Sequence, residues 1–168
     1  PVIIEEKDMV YDKKNTCPVC DEEFTAKCLK AGKTRFLGND KDLRPVYEGI
    51  DAQKYDILVC PKCGYAALSK YFPRVTTKQA ALIREKISSK VKLHAYAGET
   101  YTYEEAIERY QLALASAIVK KSKTSEKAYI CLQNAWLLRG YAQYLQEEMH
   151  LTKEQTGAVT QLERKFMQ

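Results

Sequence analysis

Two pairs of cysteines are the residues whose type and spacing indicate chemistry. Cys17 and Cys20 form the motif CPVC, and Cys60 and Cys63 form the motif CPKC. Two residues between paired cysteines let both sulfur atoms of a tight turn face one ion, and two such turns supply the four ligands of a tetrahedral site. The pattern therefore predicts one structural Zn²⁺ ion bound by all four cysteines.

The residues that follow each pair fit the same interpretation. Gly64 follows the second pair and Asp21 follows the first, and both residue types accept the positive φ that such a turn often requires. The 39 residues between the pairs exceed the roughly 15–20 of compact zinc ribbons. We therefore expect a long insertion between the two halves of the site.

A redox interpretation of the same cysteines is also open. A thioredoxin-like site needs a CxxC motif that opens a helix in a βαβ unit, and no such unit is visible in the sequence. A redox or zinc sensor, which loses its metal under mild oxidation, remains an alternative. Four sulfur ligands leave no coordination position for water or substrate, which disfavours metal catalysis.

The remaining cysteines and histidines are interpreted as structural residues. Cys28 falls on a predicted strand and could approach the metal, although a buried core position is favoured for it, as for Cys131. His94 and His150 stand alone at predicted helix ends, where a cation interacts favourably with the helix dipole.

Catalytic patterns are missing from the sequence. Asp40 and Asp42 lie in a turn-rich loop and are interpreted as turn-capping residues. There is no glycine-rich phosphate loop, no nucleophile elbow and no histidine placed by pattern as a general base. We therefore expect no enzymatic activity.

Short strands are predicted in the part of the chain that contains the cysteines. Residues 24–29 and 34–37 are predicted to form a hairpin with its turn at Ala31 and Gly32. Residues 55–59 are predicted to form a third strand that leads into the second cysteine pair.

The apolar pattern becomes helical after about residue 76. Thr77 is predicted to cap a helix that continues to His94, and Thr100 or Thr102 to cap a second helix. Ser125 is predicted to cap a third helix, and a fourth follows it. Because this last helix is still in progress at the final residue, we expect a longer C-terminus.

The net charge of +5 lies entirely after residue 72, because 12 acidic and 12 basic residues precede that point and 10 acidic and 15 basic residues follow it. Lys120, Lys121 and Lys123 lie at the end of the second predicted helix, where they are interpreted as solvated. A nucleic-acid-binding ribbon normally has a basic surface of its own. Nucleic acid is therefore the second candidate partner and not the first.

Four of the 12 tyrosines are close together in the sequence, at Tyr96, Tyr101, Tyr103 and Tyr110. With nearby basic residues they could stack on bases, but their helical spacing favours a role in helix–helix seams. We also hypothesise that exposed tyrosine and lysine side chains of residues 96–123 form the contact surface for a protein or peptide partner.

No apolar run approaches the length of a membrane span, and no signal segment opens the chain. The sequence therefore predicts a cytoplasmic protein without a membrane partner.

Two helical segments resemble tetratricopeptide (TPR) repeats. Residues 103–114 (YEEAIERYQLAL) resemble the second helix of a TPR unit, with Ala106 and Tyr110 at matching positions. Residues 128–138 (AYICLQNAWLL) resemble the first helix of a following unit, although Gln133 replaces the usual small residue. The resemblance implies an incomplete TPR-like array.

The order of these motifs is similar to that of a bacterial family, domain of unknown function 2225. The resemblance rests on CPVC, on the segment LRPVYEGIDAQKYDILVCPKCGYAAL at residues 43–68, and on YEEAIERYQLAL. It implies a zinc ribbon followed by TPR-like helices in a bacterial cytoplasmic protein, and it implies no particular activity.

Together, the sequence predicts an α+β fold that is mostly α. Residues 1–72 are predicted to form a zinc-ribbon-like unit with a long insertion, packed on an antiparallel, TPR-like helical domain of residues 73–168. The predicted function is a non-enzymatic protein-interaction or scaffold module with a structural zinc. The alternatives are a nucleic-acid-binding zinc-ribbon protein and a redox or zinc sensor.

Overall fold

Three antiparallel β-hairpins form the first part of the fold, in a computed structural model that describes residues 5–91, 93 and 98–167. Each hairpin is a separate sheet of two consecutive strands: β1 (Val10–Thr16) with β2 (Glu23–Leu29), β3 (Phe36–Asn39) with β4 (Pro45–Tyr47), and β5 (Ile57–Val59) with β6 (Ala66–Leu68). The two cysteine pairs lie in the turns of the first and third hairpins.

The predicted pairing of residues 24–29 with 34–37 is wrong. Strand β2 pairs with β1, so that Leu29 lies opposite Val10, whereas Phe36 lies opposite Tyr47. The CPVC turn itself reverses the chain and brings its two flanking segments together. The turn at residues 31–33 therefore connects two hairpins and does not form the tip of one.

Four α-helices follow the hairpins in the described part of the chain: α1 (Thr77–Ile83), α2 (Tyr103–Val119), α3 (Thr124–Glu147) and α4 (Gly157–Met167). A π-helical turn, Arg84–Ser88, extends α1. Turns of this type are rare and are found frequently at functional sites. The helices and small antiparallel sheets confirm the predicted α+β class.

The helix boundaries agree with the prediction at α2 and differ elsewhere. Thr102 caps α2, with its side chain accepting a hydrogen bond from the backbone N–H of Glu105. The first helix is capped by Thr76 instead of Thr77 and ends at Ser88, and His94 lies outside the described residues. The N-cap of α3 is Lys123 and not Ser125.

Hairpin β5–β6 lies between two hydrophobic clusters. One cluster joins its residues to α2 and α3: Ile57, Val59, Ala66, Leu68, Ala106, Tyr110, Ala113, Ala117, Ile130 and Leu137. The other cluster joins the region of the cysteines to α1 and its π turn: Cys17, Val19, Phe24, Ala26, Cys60, Cys63, Tyr65, Ala67, Phe72, Ala80, Ile83 and Ile87. Each cluster therefore draws residues from both sides of position 72, and the division into two domains there stays a prediction.

Helices α2 and α3 run antiparallel. The Tyr141 hydroxyl donates a hydrogen bond to the Glu104 carboxylate at 2.7 Å, and the Tyr110 hydroxyl donates to Gln133 at 3.2 Å. A TPR-like arrangement of the helices stays a prediction. None of the described helices is both long and apolar enough to cross a membrane.

Candidate metal centre

The two cysteine turns have the same backbone structure. In the first, the N–H of Cys17 donates to the carbonyl of Glu22 at 2.9 Å, and the N–H of Asp21 donates back to the carbonyl of Cys17 at 2.9 Å. In the second, Cys60 and Tyr65 make the equivalent bond at 2.9 Å, and Gly64 donates to Cys60 at 3.0 Å. Two copies of one local structure therefore present two cysteines each.

The residue after each pair has the left-handed backbone conformation that the sequence predicts. The φ angle is 61° at Asp21 and 81° at Gly64. This conformation turns the chain back toward the first cysteine, and Gly and Asp are among the residues that adopt it most easily.

The four sulfur atoms of Cys17, Cys20, Cys60 and Cys63 all lie within 4.8 Å of one another. Two close sulfur–sulfur contacts join the turns: Cys17 to Cys63 and Cys20 to Cys60, both 3.5 Å. Ligands about 2.3 Å from a tetrahedral metal lie about 3.8 Å apart. The cluster therefore has the dimensions to hold one metal ion. Its ligands come from two cysteine pairs that are separated by 39 residues in the chain.

The ionisation of the sulfur atoms also fits a cation. The close contacts with neighbouring sulfur atoms, that with Cys60 above all, raise the pKa of the Cys17 thiol, whereas those with Cys17 and Cys63 lower the pKa of the Cys60 thiol. One thiolate therefore forms at the expense of its neighbours, because closely packed negative sulfur atoms repel one another. A divalent ion supplies the positive charge that lets every sulfur ionise.

Burial encloses most of the cluster. Cys17 and Cys60 are fully buried, Cys63 is 6% exposed, and Cys20 is half-buried. The N–H of Val19 points to the Cys17 sulfur at 3.4 Å. Such N–H groups stabilise thiolate ligands, so the turn supports ligation as well as positioning.

The π turn after α1 holds both cysteine turns in place, which the sequence did not indicate. The Arg84 guanidinium donates two hydrogen bonds to the carbonyl of Val19, at 2.6 and 3.1 Å. The Ser88 hydroxyl donates to the carbonyl of Cys63 at 2.7 Å. These two side chains connect the turns through one helical segment, so the cluster belongs to the ribbon and the helices together.

A buried lysine lies behind the second cysteine turn. Lys120 is 2% exposed, and its Nζ atom donates to Glu126 at 3.0 Å and to the Tyr65 hydroxyl at 3.2 Å. The interpretation of Lys120 as solvated is therefore wrong. Its charge is neutralised by Glu126, and the pair links the turn after α2 to Tyr65, two residues after Cys63.

The remaining candidate ligands lie elsewhere. Cys28 is half-buried on β2, opposite Tyr11, and is outside the group of four sulfur atoms. Cys131 is half-buried on α3, and burial raises the pKa of its thiol. His150 is exposed just after α3 with a φ of 56°.

Asp40 and Asp42 make ion pairs with a distant helix and do more than cap a turn. Arg139 of α3 pairs with Asp42 at 2.7 Å and with Asp40 at 3.2 Å. The hydrogen bond from Arg139 lowers the pKa of Asp42 to about 2. These contacts attach the turn of the second hairpin, between β3 and β4, to α3.

Two of the clustered tyrosines are buried. Tyr101 is 4% exposed and Tyr110 is 1% exposed, so neither belongs to the exposed contact surface, which stays a prediction. Tyr110 donates to the carbonyl of Gln53 at 2.8 Å, which explains why a core position carries a tyrosine. Tyr96 lies outside the described residues.

A family model described as an uncharacterized protein conserved in bacteria (DUF2225) matches residues 10–165 of the chain. Neither a curated protein nor a solved structure matches it. The match covers both cysteine pairs, helices α1 to α3 and most of α4, and the chain belongs to this bacterial family.

Proposed function

We propose that this member of the DUF2225 family is a non-enzymatic interaction protein in which one structural Zn²⁺ ion holds hairpin β1–β2 to the rest of the fold. The proposal rests on the four sulfur atoms, which come from two hairpins and lie within 4.8 Å of one another. Four thiolates complete the tetrahedral coordination of zinc, so the ion would stabilise the structure and leave no position for a substrate.

Zinc is favoured over other metals by the ligand set and the compartment. Four cysteines in a tetrahedral arrangement select zinc or iron. The proposal includes a cytoplasmic location, where thiols stay reduced and available to a metal. We adopt zinc because a closed site of four thiolates is its usual structural site, which is the role that the proposal gives the ion.

Metal analysis of the purified chain tests this assignment. We expect one zinc per chain by inductively coupled plasma mass spectrometry, and a large loss of zinc in Cys60→Ser. Cys131→Ser is the matched control, since it removes a half-buried thiol outside the cluster, and it should retain the zinc. One iron per chain with visible thiolate absorption would contradict zinc, and a metal-free chain would contradict the whole site.

The interaction part of the proposal is supported by a cleft at one end of α2 and α3. The cleft has a volume of about 650 Å³ and is lined by Tyr103, Tyr141 and Tyr144, among other residues. The ring of Tyr103 lies 5.1 Å from that of Tyr141 and 5.4 Å from that of Tyr144. Tyrosine is enriched at protein interfaces because it adds a large apolar contact with one polar tip.

Affinity capture with matched variants tests this part. Tyr144 is 41% exposed in the cleft, and Tyr11 is 43% exposed on β1. We expect a protein partner that is retained by the unmodified chain and by Tyr11→Ala, and lost by Tyr144→Ala. Equal retention by all three chains, with melting curves unchanged, would remove the cleft from the proposal.

A further inference from the structure

Basic side chains gather where the segment before α1 meets the turn between α2 and α3. We call this set of six residues the basic face: Lys70, Arg74, Lys78, Lys121, Lys123 and Lys127. Lys127 is half-buried and the other five are exposed. The sequence places three of them at residues 70–78 and three at residues 121–127.

Contacts at both ends bring these two segments together. The Nζ atom of Lys70 lies 5.4 Å from the ring centroid of Tyr129 on α3. At the other end, the Gln79 side-chain amide donates to the carbonyl of Lys120 at 3.2 Å. The basic residues therefore belong to one region of the surface, although more than 40 residues separate the segments in the sequence.

The charges of the basic face are not compensated within the described residues. None of its six members forms an ion pair there, whereas Lys27 pairs with Asp12 and Lys62 pairs with Glu22 on the ribbon. Residues 69–84 contain no acidic residue, and residues 118–129 contain only Glu126. That carboxylate is 5% exposed and neutralises the buried Lys120. The basic face thus keeps its positive charge for an external anion.

Exposed aromatic and apolar side chains accompany these charges. Tyr129 is 47% exposed and Ile118 is 58% exposed. Lys70 lies 5.4 Å from the ring of Tyr129 and 5.4 Å from that of Tyr71. An exposed ring with a cation beside it, and further basic residues in the same region, is the kind of surface that proteins use for flexible single strands, where phosphates meet the cations and a base stacks on the ring.

We propose that the basic face binds single-stranded nucleic acid, with its lysines contacting phosphates and Tyr129 stacking on a base. A single strand offers both groups at short spacing, a phosphate for the uncompensated lysines and a base for the exposed ring, and an acidic protein is an alternative outcome of the test. The inference goes beyond the interaction through the tyrosine cleft and does not depend on it.

Fluorescence anisotropy with a labelled, mixed-sequence RNA of roughly 16 nucleotides tests the proposal. At about 50 mM salt we expect binding that weakens steeply as salt is added. The triple variant Lys121→Gln/Lys123→Gln/Lys127→Gln should bind the RNA at least about tenfold more weakly. It should also reduce the slope of log affinity against log salt by about 2, because three phosphate contacts on a single strand are lost. Tyr129→Ala should weaken binding about tenfold with little change in slope, because stacking is not ionic.

The matched control is Lys13→Gln/Lys14→Gln, which removes two exposed lysines from β1 and should leave the affinity unchanged. Metal content and thermal melting establish that every variant is folded. Absence of binding at about 50 mM salt, or equal affinity of the triple variant, would overturn the proposal. Displacement of the RNA by polyglutamate at equal charge, together with no effect of Tyr129→Ala, would overturn it in favour of an acidic protein.

Discussion

The two hairpins that carry the cysteine pairs have the same turn and opposite surroundings. Hairpin β5–β6 is covered on both sides: Ile57 and Leu68 pack against α2 and α3, and Tyr65 and Ala67 pack toward α1. Hairpin β1–β2 exposes most of β1 to solvent. One local structure is therefore enclosed by the hydrophobic core in one place, whereas in the other it meets that core mainly through Phe24 and Ala26 of β2.

Hairpin β1–β2 contacts the rest of the described chain near its turn and again at its open end, where Val10 and Leu29 pack with Ile50, Tyr55 and Tyr101. Phe24 packs edge-on against Phe72, with ring centroids 5.8 Å apart, and Arg84 holds the carbonyl of Val19. The N–H of Lys27 donates to the Tyr101 hydroxyl at 3.2 Å. The four-sulfur cluster is the strongest candidate for an additional connection. The comparison teaches that a metal would matter most for β1–β2 and least for β5–β6.

The largest expected difference between the hairpins comes from truncating one residue in each. Ile57→Ala in β5 removes a side chain that is 1% exposed and should lower the free energy of unfolding by about 3 kcal/mol, since it leaves a cavity. Thr25→Ala in β2 changes an exposed position and should alter it by less than about 0.5 kcal/mol. Urea denaturation measures both values. Similar losses of unfolding free energy in the two variants would contradict the contrast between the two hairpins.

A second prediction concerns residues 44–51, whose buried ion pair packs against Gly140 of α3. Arg44 and Asp51 are 3.4 Å apart and nearly inaccessible, and a Cβ atom at Gly140 would overlap the Asp51 carboxylate. Gly140→Ala should therefore destabilise the chain by about 2 kcal/mol, although alanine normally favours a helix by about 1 kcal/mol.

Gly157→Ala is the control for this prediction, because a Cβ atom there meets nothing within 4 Å. Thermal or urea denaturation should show little change or a small gain in stability for it. A gain in stability for Gly140→Ala as well would mean that the Arg44–Asp51 ion pair can move away from α3 at no cost. Residues 44–51 would then be attached to α3 less firmly than the contacts indicate.

A prediction of pH dependence concerns Asp56, which directly precedes β5. Burial, with a further contribution from the Asp51 carboxylate, raises the pKa of Asp56 to about 7. Since an unfolded aspartate has a pKa of about 3.9, the folded state binds this proton more tightly. The contribution to stability is therefore full below about pH 4 and is lost as the pH rises to about 7.

Asp56→Asn removes this dependence. The variant should be more stable than the unmodified chain by at least about 1 kcal/mol near pH 8, and the difference should shrink as the pH approaches about 4. Urea denaturation across this range measures it. A stability difference that stays constant at all pH values would show that Asp56 remains ionised in the folded state, and that water reaches its carboxylate.

The parts of the fold that follow from local sequence were predictable. The CPVC and CPKC turns, the positive φ at Asp21 and Gly64, and the cap at Thr102 each depend on residues within one turn of the chain. Such features need no knowledge of what packs against them. The meeting of the two pairs is not local, and it was predicted from the four ligands that one tetrahedral metal ion requires.

The parts that depend on distant partners were not predictable in the same way. Strand β1 has polar residues on both faces because most of it is exposed, so it lacks the alternation that marks a strand. Lys120 was interpreted as solvated because the sequence does not show that Tyr65 and Glu126 enclose its charge. The roles of Arg84 and Ser88 at the cysteine turns also depend on how α1 packs, which no local pattern encodes.

Hydrogen–deuterium exchange of the metal-loaded chain, before and after removal of the metal by a chelator, tests the central claim most directly. We predict that the amides of β1–β2 lose most of their protection when the metal is removed, whereas those of β5–β6 keep theirs because the core still covers them. Unchanged protection of β1–β2 after complete loss of the metal would contradict the claim that the four cysteines hold this hairpin through an ion.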